Sequence, residues 1–204
     1  MNRLACPIVL SAVIAAAAVA PLTAQTAGGR GFYDRGQWPA AIEALRPPAE
    51  SGDAEAQFLM GAILLDGGNG VRKDAVAALR WLGQAAERDH PGAQFELFSI
   101  YPTSGGDFAQ EIAQKAKWAE RLARQGKGLT EHRRAQAALC AEFLGREYSM
   151  TGRSTRDFLV AYAWLNAAMI LGNTASEIER DLVGNRLSKD DIRSAELLTA
   201  EFLR

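Results

Sequence analysis

Apolar residues recur three and four apart along Ala56, Met60, Ile63 and Leu64, a spacing that sets them on one face of a helix. Asp53 stands before this run as an N-cap, and Gly61 within it leaves room for a second helix to come close. The segment Asp66-Gly67-Gly68-Asn69-Gly70 ends the pattern, because glycine supplies the positive φ angles of a tight reversal. Beyond it Asp74 caps a second stretch, whose Ala78, Trp81, Leu82 and Ala85 form a single apolar stripe. The two stretches predict an antiparallel helical hairpin.

The hairpin repeats. Ala56-Gln57-Phe58 returns as Ala93-Gln94-Phe95 after 37 residues, and Trp81 returns as Trp118 at the same interval. A period of this size marks an array in which each unit must stack on a neighbour to bury its apolar face. An earlier unit runs through Tyr33, Gly36, Ala40, Ala41, Leu45, Ala49 and Gly52. A third carries Leu97, Tyr101, Trp118, Ala123 and Gly126, with Phe98 where a small residue belongs and a longer connection, Tyr101 to Ile112. A fourth reads Ala135-Gln136, Leu139-Cys140, Phe143, a long connection from Gly145 to Arg156, then Asp157, Ala161, Trp164, Ala168 and Gly172. In that alignment Cys140 takes the place of Gly61. Ser188 and Asp191 form an Asp variant of the capping box before Ile192, Ala195, Leu198 and Phe202, so this last helix should cover the open end of the stack. The expected fold is all-α: an α/α superhelical solenoid of about four helix-turn-helix repeats, near residues 31–52, 53–89, 90–126 and 132–172, with a C-terminal cap over 174–204.

Ala56-Gln57, Met60-Gly61, Leu64, Gly67, Gly70-Val71, Asp74, Ala78, Trp81 and Ala85-Ala86 together resemble the Sel-one-like repeat, a short relative of the tetratricopeptide repeat. The resemblance reaches from about Gly31 to Arg204 and includes the closing helix found in exported bacterial members. It implies a curved wall lined by the first helix of each unit. By tetratricopeptide geometry the residues facing inward are Glu55, Phe58, Ala62 and Leu65, then Phe95 and Ser99, then Arg134 and Ala141. Phe58 and Phe95, one repeat apart, are expected to anchor a partner. The implied role is a non-catalytic scaffold, adaptor or regulator that binds a protein or peptide partner in the cell envelope on its concave face. The competing reading is an envelope enzyme acting on peptidoglycan or β-lactams.

From the first residues the chain is expected outside the cytoplasm. Arg3 precedes an Ala/Val-rich run, Ile8 to Ala20, that leads to Pro21-Leu22-Thr23-Ala24, the layout of a secretory signal peptide over 1–24. Cleavage is expected after Ala24, with Ala27 as a second candidate, leaving 25–204 as the repeat domain in the periplasm or secreted. The alternative is an uncleaved N-terminal anchor, since about 20 apolar residues span a bilayer. No later run is long enough to cross a membrane, so the mature protein is not expected to span one. Without the leader, Cys140 is the only thiol, and 22 basic against 24 acidic residues give a net charge of −2. Such a balance, without basic runs, argues against nucleic acid as partner.

Catalytic and cofactor chemistry finds little support. Gly67 to Asp74 has glycines and a lysine before a helix, but Asp74 stands where a phosphate loop needs a hydroxyl, so the segment is a turn with a helix cap. His90 and His132 have no ligand-type neighbour at zinc spacing, no cofactor is implied, and His90-Pro91 reads as a surface turn. Cysteine-rich relatives in this repeat family are associated with β-lactam binding, but this chain lacks their cysteine pairs, and Ser-x-x-Lys, Lys-Thr-Gly and Gly-x-Ser-x-Gly are absent. Glu142 and Glu147 are the nearest to an acid–base pair and read as solvated glutamates. Trp81, Trp118 and Trp164 occupy matching core positions, whereas Trp38 is not assigned by the period.

Overall fold

The computed structural model describes residues 22–100 and 108–204. Among them ten α-helices follow in order: α1 (Leu22–Asp34), α2 (Trp38–Glu50), α3 (Ala54–Asp66), α4 (Ala75–Glu87), α5 (Pro91–Ile100), α6 (Phe108–Arg124), α7 (Glu131–Thr151), α8 (Thr155–Ile170), α9 (Ser176–Gly184) and α10 (Lys189–Phe202). The only β pairing among these residues is an isolated bridge between Gly68 and Val71 in the α3–α4 reversal. Each hairpin packs on the next through its second helix, α2 on α3, α4 on α5, α6 on α7 and α8 on α9. First helices also touch one another, α1 with α3, α5 with α7 and α7 with α9. The chain is an α/α solenoid with an inner layer of first helices and an outer layer of second helices.

Local chemistry sets the helix ends. Asp53 and Asp74 accept from the Ala56 and Ala77 amides at 2.8 and 2.9 Å, as N-caps do. Ser154 with Asp157, and Ser188 with Asp191, form complete capping boxes on α8 and α10. Four consecutive positive φ angles, Gly67 to Gly70, turn the chain between α3 and α4, Asn69 being the one residue there with a Cβ. The closing helix α10 lies on α8 and reaches α6. Phe202 stacks on Trp164 at 4.0 Å, and the buried Thr199 hydroxyl donates toward the Ala163 carbonyl at 3.2 Å.

Within three hairpins the helices meet through a glycine on the first and a leucine on the second. A Cβ at Gly29, Gly61 or Gly145 would lie 2.5, 2.6 or 2.5 Å from Cγ of Leu45, Leu82 or Leu165. The fourth repeat therefore aligns on Gly145 and not on Cys140. Cys140 is buried at the position of Ala56 and Ala93, five residues earlier. In the third hairpin Phe98 stands 37 residues after Gly61, and Ala119 stands 37 after Leu82. Both are buried in the largest core cluster, which runs from Leu82 to Leu171.

A second repeated contact joins one hairpin to the next. The Gln57 amide donates to the Ala49 carbonyl at 2.9 Å, and the Gln94 amide donates to the Ala86 carbonyl at 3.2 Å, each reaching eight residues back. Both glutamines are buried, so each satisfies a carbonyl at the end of the preceding helix that water cannot reach. In α7 the equivalent residue is Ala141, which cannot form this clamp.

Three expectations are corrected. The first hairpin begins with α1 at Leu22, upstream of residue 31, and α1 runs through both Ala24 and Ala27; residues 1–21 of the expected leader lie outside the described residues. The long connection expected between Gly145 and Arg156 is helix as far as Thr151, leaving only 152–154 as a link. The extra length of the fourth unit sits instead at the start of α7: Gly61 is the eighth residue of α3, whereas Gly145 is the fifteenth of α7. Those seven additional residues make about two turns that overhang the stack. Of the connection expected over Tyr101 to Ile112, residues 101–107 lie outside the described residues, and α6 supplies the rest.

The glycine contacts yield a paired prediction. Gly145→Ala gains helix propensity but forces the added carbon into Leu165, so it should cost a net of about 1–2 kcal/mol. Gly83→Ala in α4 meets nothing within 4 Å and should stabilise by up to about 1 kcal/mol. Urea midpoints of the two variants should move in opposite directions.

Candidate functional site

The inner layer carries a connected set of polar and aromatic side chains, built around the start of α5. His90 caps that helix: its Nδ1 accepts from the Ala93 amide at 3.2 Å, and its carbonyl accepts from Gln94 at 3.1 Å. With Nδ1 occupied as an acceptor, Nε2 carries the proton and donates to Glu55 at 2.9 Å. Arg30 of α1 pairs with the other carboxylate oxygen of Glu55. The Phe58 ring stacks on His90 with centroids 4.5 Å apart. Arg133, from the overhanging turns of α7, holds its guanidinium 5.7 Å from the Phe58 centroid and donates to Gln136 at 2.7 Å. Gly92 makes this meeting possible, because a Cβ there would lie 2.7 Å from Arg133 Nη2 and 2.9 Å from Phe58 Cζ.

The electrostatics extend the set across four first helices. Burial, with the Arg133 and Arg30 cations, pushes His90 down from 6.5 to about 4. Burial and the Asp66 carboxylate raise Glu96, against the pull of Arg133. Tyr33 of α1 is raised by burial and then by Asp66, Asp34 and Glu96. Burial lowers Arg133, with Glu96 opposing. Tyr33, Asp66, Glu96 and Arg133 thus share one field on the wall.

The residues expected on this wall divide into three groups. Glu55 and Phe58 are in the network, Leu65 and Phe95 are half-buried against the main core, and Ser99 is exposed with its hydroxyl on the Phe95 carbonyl at 2.9 Å. Ala62 and Ala141 are buried. Arg134 is exposed and turned away, reaching the Gly126 carbonyl at 3.4 Å, while its neighbour Arg133 meets Phe58. One residue is about 100° of helix rotation, which separates the two arginines onto different sides. Phe58 is not a bare anchor, since His90, Arg133 and two core clusters already pack on it.

Sequence reasoning missed Arg30, Tyr33, Glu96 and Arg133, and it placed His90 in a surface turn although its side chain is only 12 % exposed. The position of His90 three residues before Ala93 was a usable cap signal. Its pairing with Glu55 across 35 residues was not.

Other candidates resolve into structural roles. Trp118 and Trp164 are buried, Trp81 is half-buried, and Trp38 stacks on Tyr33 at 6.3 Å. Glu142 accepts from Asn173 at 2.6 Å and pairs with Arg146. Burial pushes the Cys140 thiol up to about 12, so it holds its proton at neutral pH. Among the described residues no three His, Cys, Asp or Glu side chains are grouped to hold a metal ion, and no helix is long and apolar enough to cross a membrane.

The depressed His90 value gives a pH prediction with a definite sign. Between 6.5 and about 4 the unfolded chain binds a proton that the folded chain refuses, so stability is full above that window and falls as the pH drops through it. The loss should reach about 3 kcal/mol at the acid end. Urea midpoints across the window should fall more steeply for the natural chain than for His90→Gln. A steeper fall in the variant would mean that Glu55 outweighs burial and holds His90 charged.

No family model and no curated protein matches the chain. Solved structures do match it, among them these two. One is a protective antigen present in uropathogenic Escherichia coli strains and displaying an SLR fold, with 22% identity, a TM-score of 0.42 and coverage of 89% of this chain and 45% of the antigen. The other is a Sel1 repeat protein from Oxalobacter formigenes, with 19% identity, a TM-score of 0.42 and coverage of 89% of this chain and 88% of that protein. The chain therefore spans less than half the length of the first and most of the second.

Proposed function

We propose that this protein is a non-catalytic interaction scaffold of the cell envelope that binds a protein or peptide along its layer of first helices. One observation carries the reading: Arg30, Glu55, Phe58, Glu96 and Arg133, drawn from four successive first helices, form one continuous strip of charge and half-buried aromatic surface. Inner walls of stacked hairpins bind extended segments in this way, with apolar pockets giving affinity and charges giving register. Because His90, Arg133 and the core support Phe58 from behind, it acts as a rigid platform rather than a free anchor.

The envelope location rests on the signal-like segment over 1–24.

A photo-crosslinking residue at Ser99, exposed on the inner layer, should capture a discrete partner in native envelopes. The same residue at Leu79, exposed on the outer layer, should not. Identical products at both positions, or a covalent adduct with labelled penicillin, would overturn the scaffold reading.

A further inference from the structure

The overhanging turns of α7 have a second side. While Arg133 packs on Phe58, Arg134 lines, with Ala138 and Leu139 just after the overhang, a cavity of about 470 Å³ that Leu171 also borders. A second cavity of about 280 Å³ adjoins it, walled by Ile170, Leu171 and Leu203. Arg134 and Leu171 line both, so the two are lobes of one groove that share the Arg134 side chain. Leu139 and Ile170, at its lips, are 54% and 62% exposed. Among the described residues no carboxylate lies within ion-pair distance of Arg134, and its hydrogen bond there is the long one to Gly126.

The charge of the groove defines its ligand. Glu131 lines the larger lobe, so beside Arg134 there is room for one negative charge and not for a run of them. Each lobe also offers apolar surface, Ala138 and Leu139 in the larger and Ile170 and Leu203 in the smaller, which calls for an apolar group on each side of that charge. A fatty acid, with its carboxylate at one end, fills one lobe only. In an extended peptide, residues two apart point the same way about 6.6 Å apart, so an apolar–x–acidic–x–apolar segment presents all three groups to one surface.

We propose that this groove docks such an extended segment of a partner protein, its carboxylate on Arg134 and its two apolar side chains in the lobes. The proposal rests on the scaffold reading and adds a second surface, at the edge of the solenoid, to the inner layer.

The test uses the full chain and a fluorescein-labelled peptide, Ser-Leu-Ser-Asp-Ser-Leu-Ser, with its Asn counterpart, read by fluorescence polarisation. Saturable binding is expected for the Asp peptide, weakened at least about tenfold by Asp to Asn, by Arg134→Glu and by Leu139→Ser. Both substituted side chains are exposed, and unchanged melting curves would establish that the variants fold. Equal binding of the two peptides, binding indifferent to Arg134→Glu, or none up to about 1 mM would overturn the proposal. So would Arg134-dependent binding of palmitate without peptide binding, or self-association abolished by Arg134→Glu, which would give the groove to a lipid or to a second copy. Crosslinking at Ser99 does not depend on Arg134, so failure of the groove is distinguishable from failure of the scaffold reading.

Discussion

The close approach of the two helices in three of the hairpins is the constraint on which this molecule depends. At Gly29, Gly61 and Gly145 the first helix has no Cβ, and a leucine of the second fills the space. Interiors pack at crystal density, so a contact this close leaves a single relative position for the pair. The third hairpin has no such glycine: Phe98 and Ala119 stand at the two positions, both buried, and Phe98 meets the Phe143 ring edge-on at 5.5 Å. Buried glutamine amides then tie one hairpin to the next, and the solenoid follows from repeating two short-range contacts.

The departure from this regularity is α7. Its glycine keeps the repeat register, but two extra turns precede it, and Ala141 replaces the glutamine clamp. The overhang has two consequences because a helix has sides. One brings Arg133 over Phe58 and adds a cation to the inner layer. The other opens the edge groove around Arg134. Adjacent residues in the sequence thus serve two surfaces.

At the centre of the inner layer the half-buried Glu55 and His90 are matched to each other and to the start of α5. His90 stays neutral through burial and two nearby arginines, offers one nitrogen to the start of α5 and gives the proton on the other to Glu55. Arg30 completes the carboxylate. Groups held in this way are oriented before a partner arrives, which lowers the ordering cost of binding.

Helical class, hairpin boundaries at Asp53 and Asp74, the capping box at Ser188 and the 37-residue offset were all legible in the chain, because caps, glycine turns and apolar periodicity act between residues close in sequence. Glu55 and Phe58 were legible as first-helix residues through the repeat. The register of the fourth unit was not, since Cys140 and Gly145 are both small and only the position of Leu165 across the hairpin separates them. Nor was the choice between Arg133 and Arg134, the burial of His90, or the groove. By itself the sequence determined which segments become helices and that they stack; tertiary structure decided which side of each helix meets which neighbour. The physical reason is that backbone hydrogen bonds and caps are satisfied locally, whereas a rotation of about 100° between adjacent residues is resolved only by contacts across the fold.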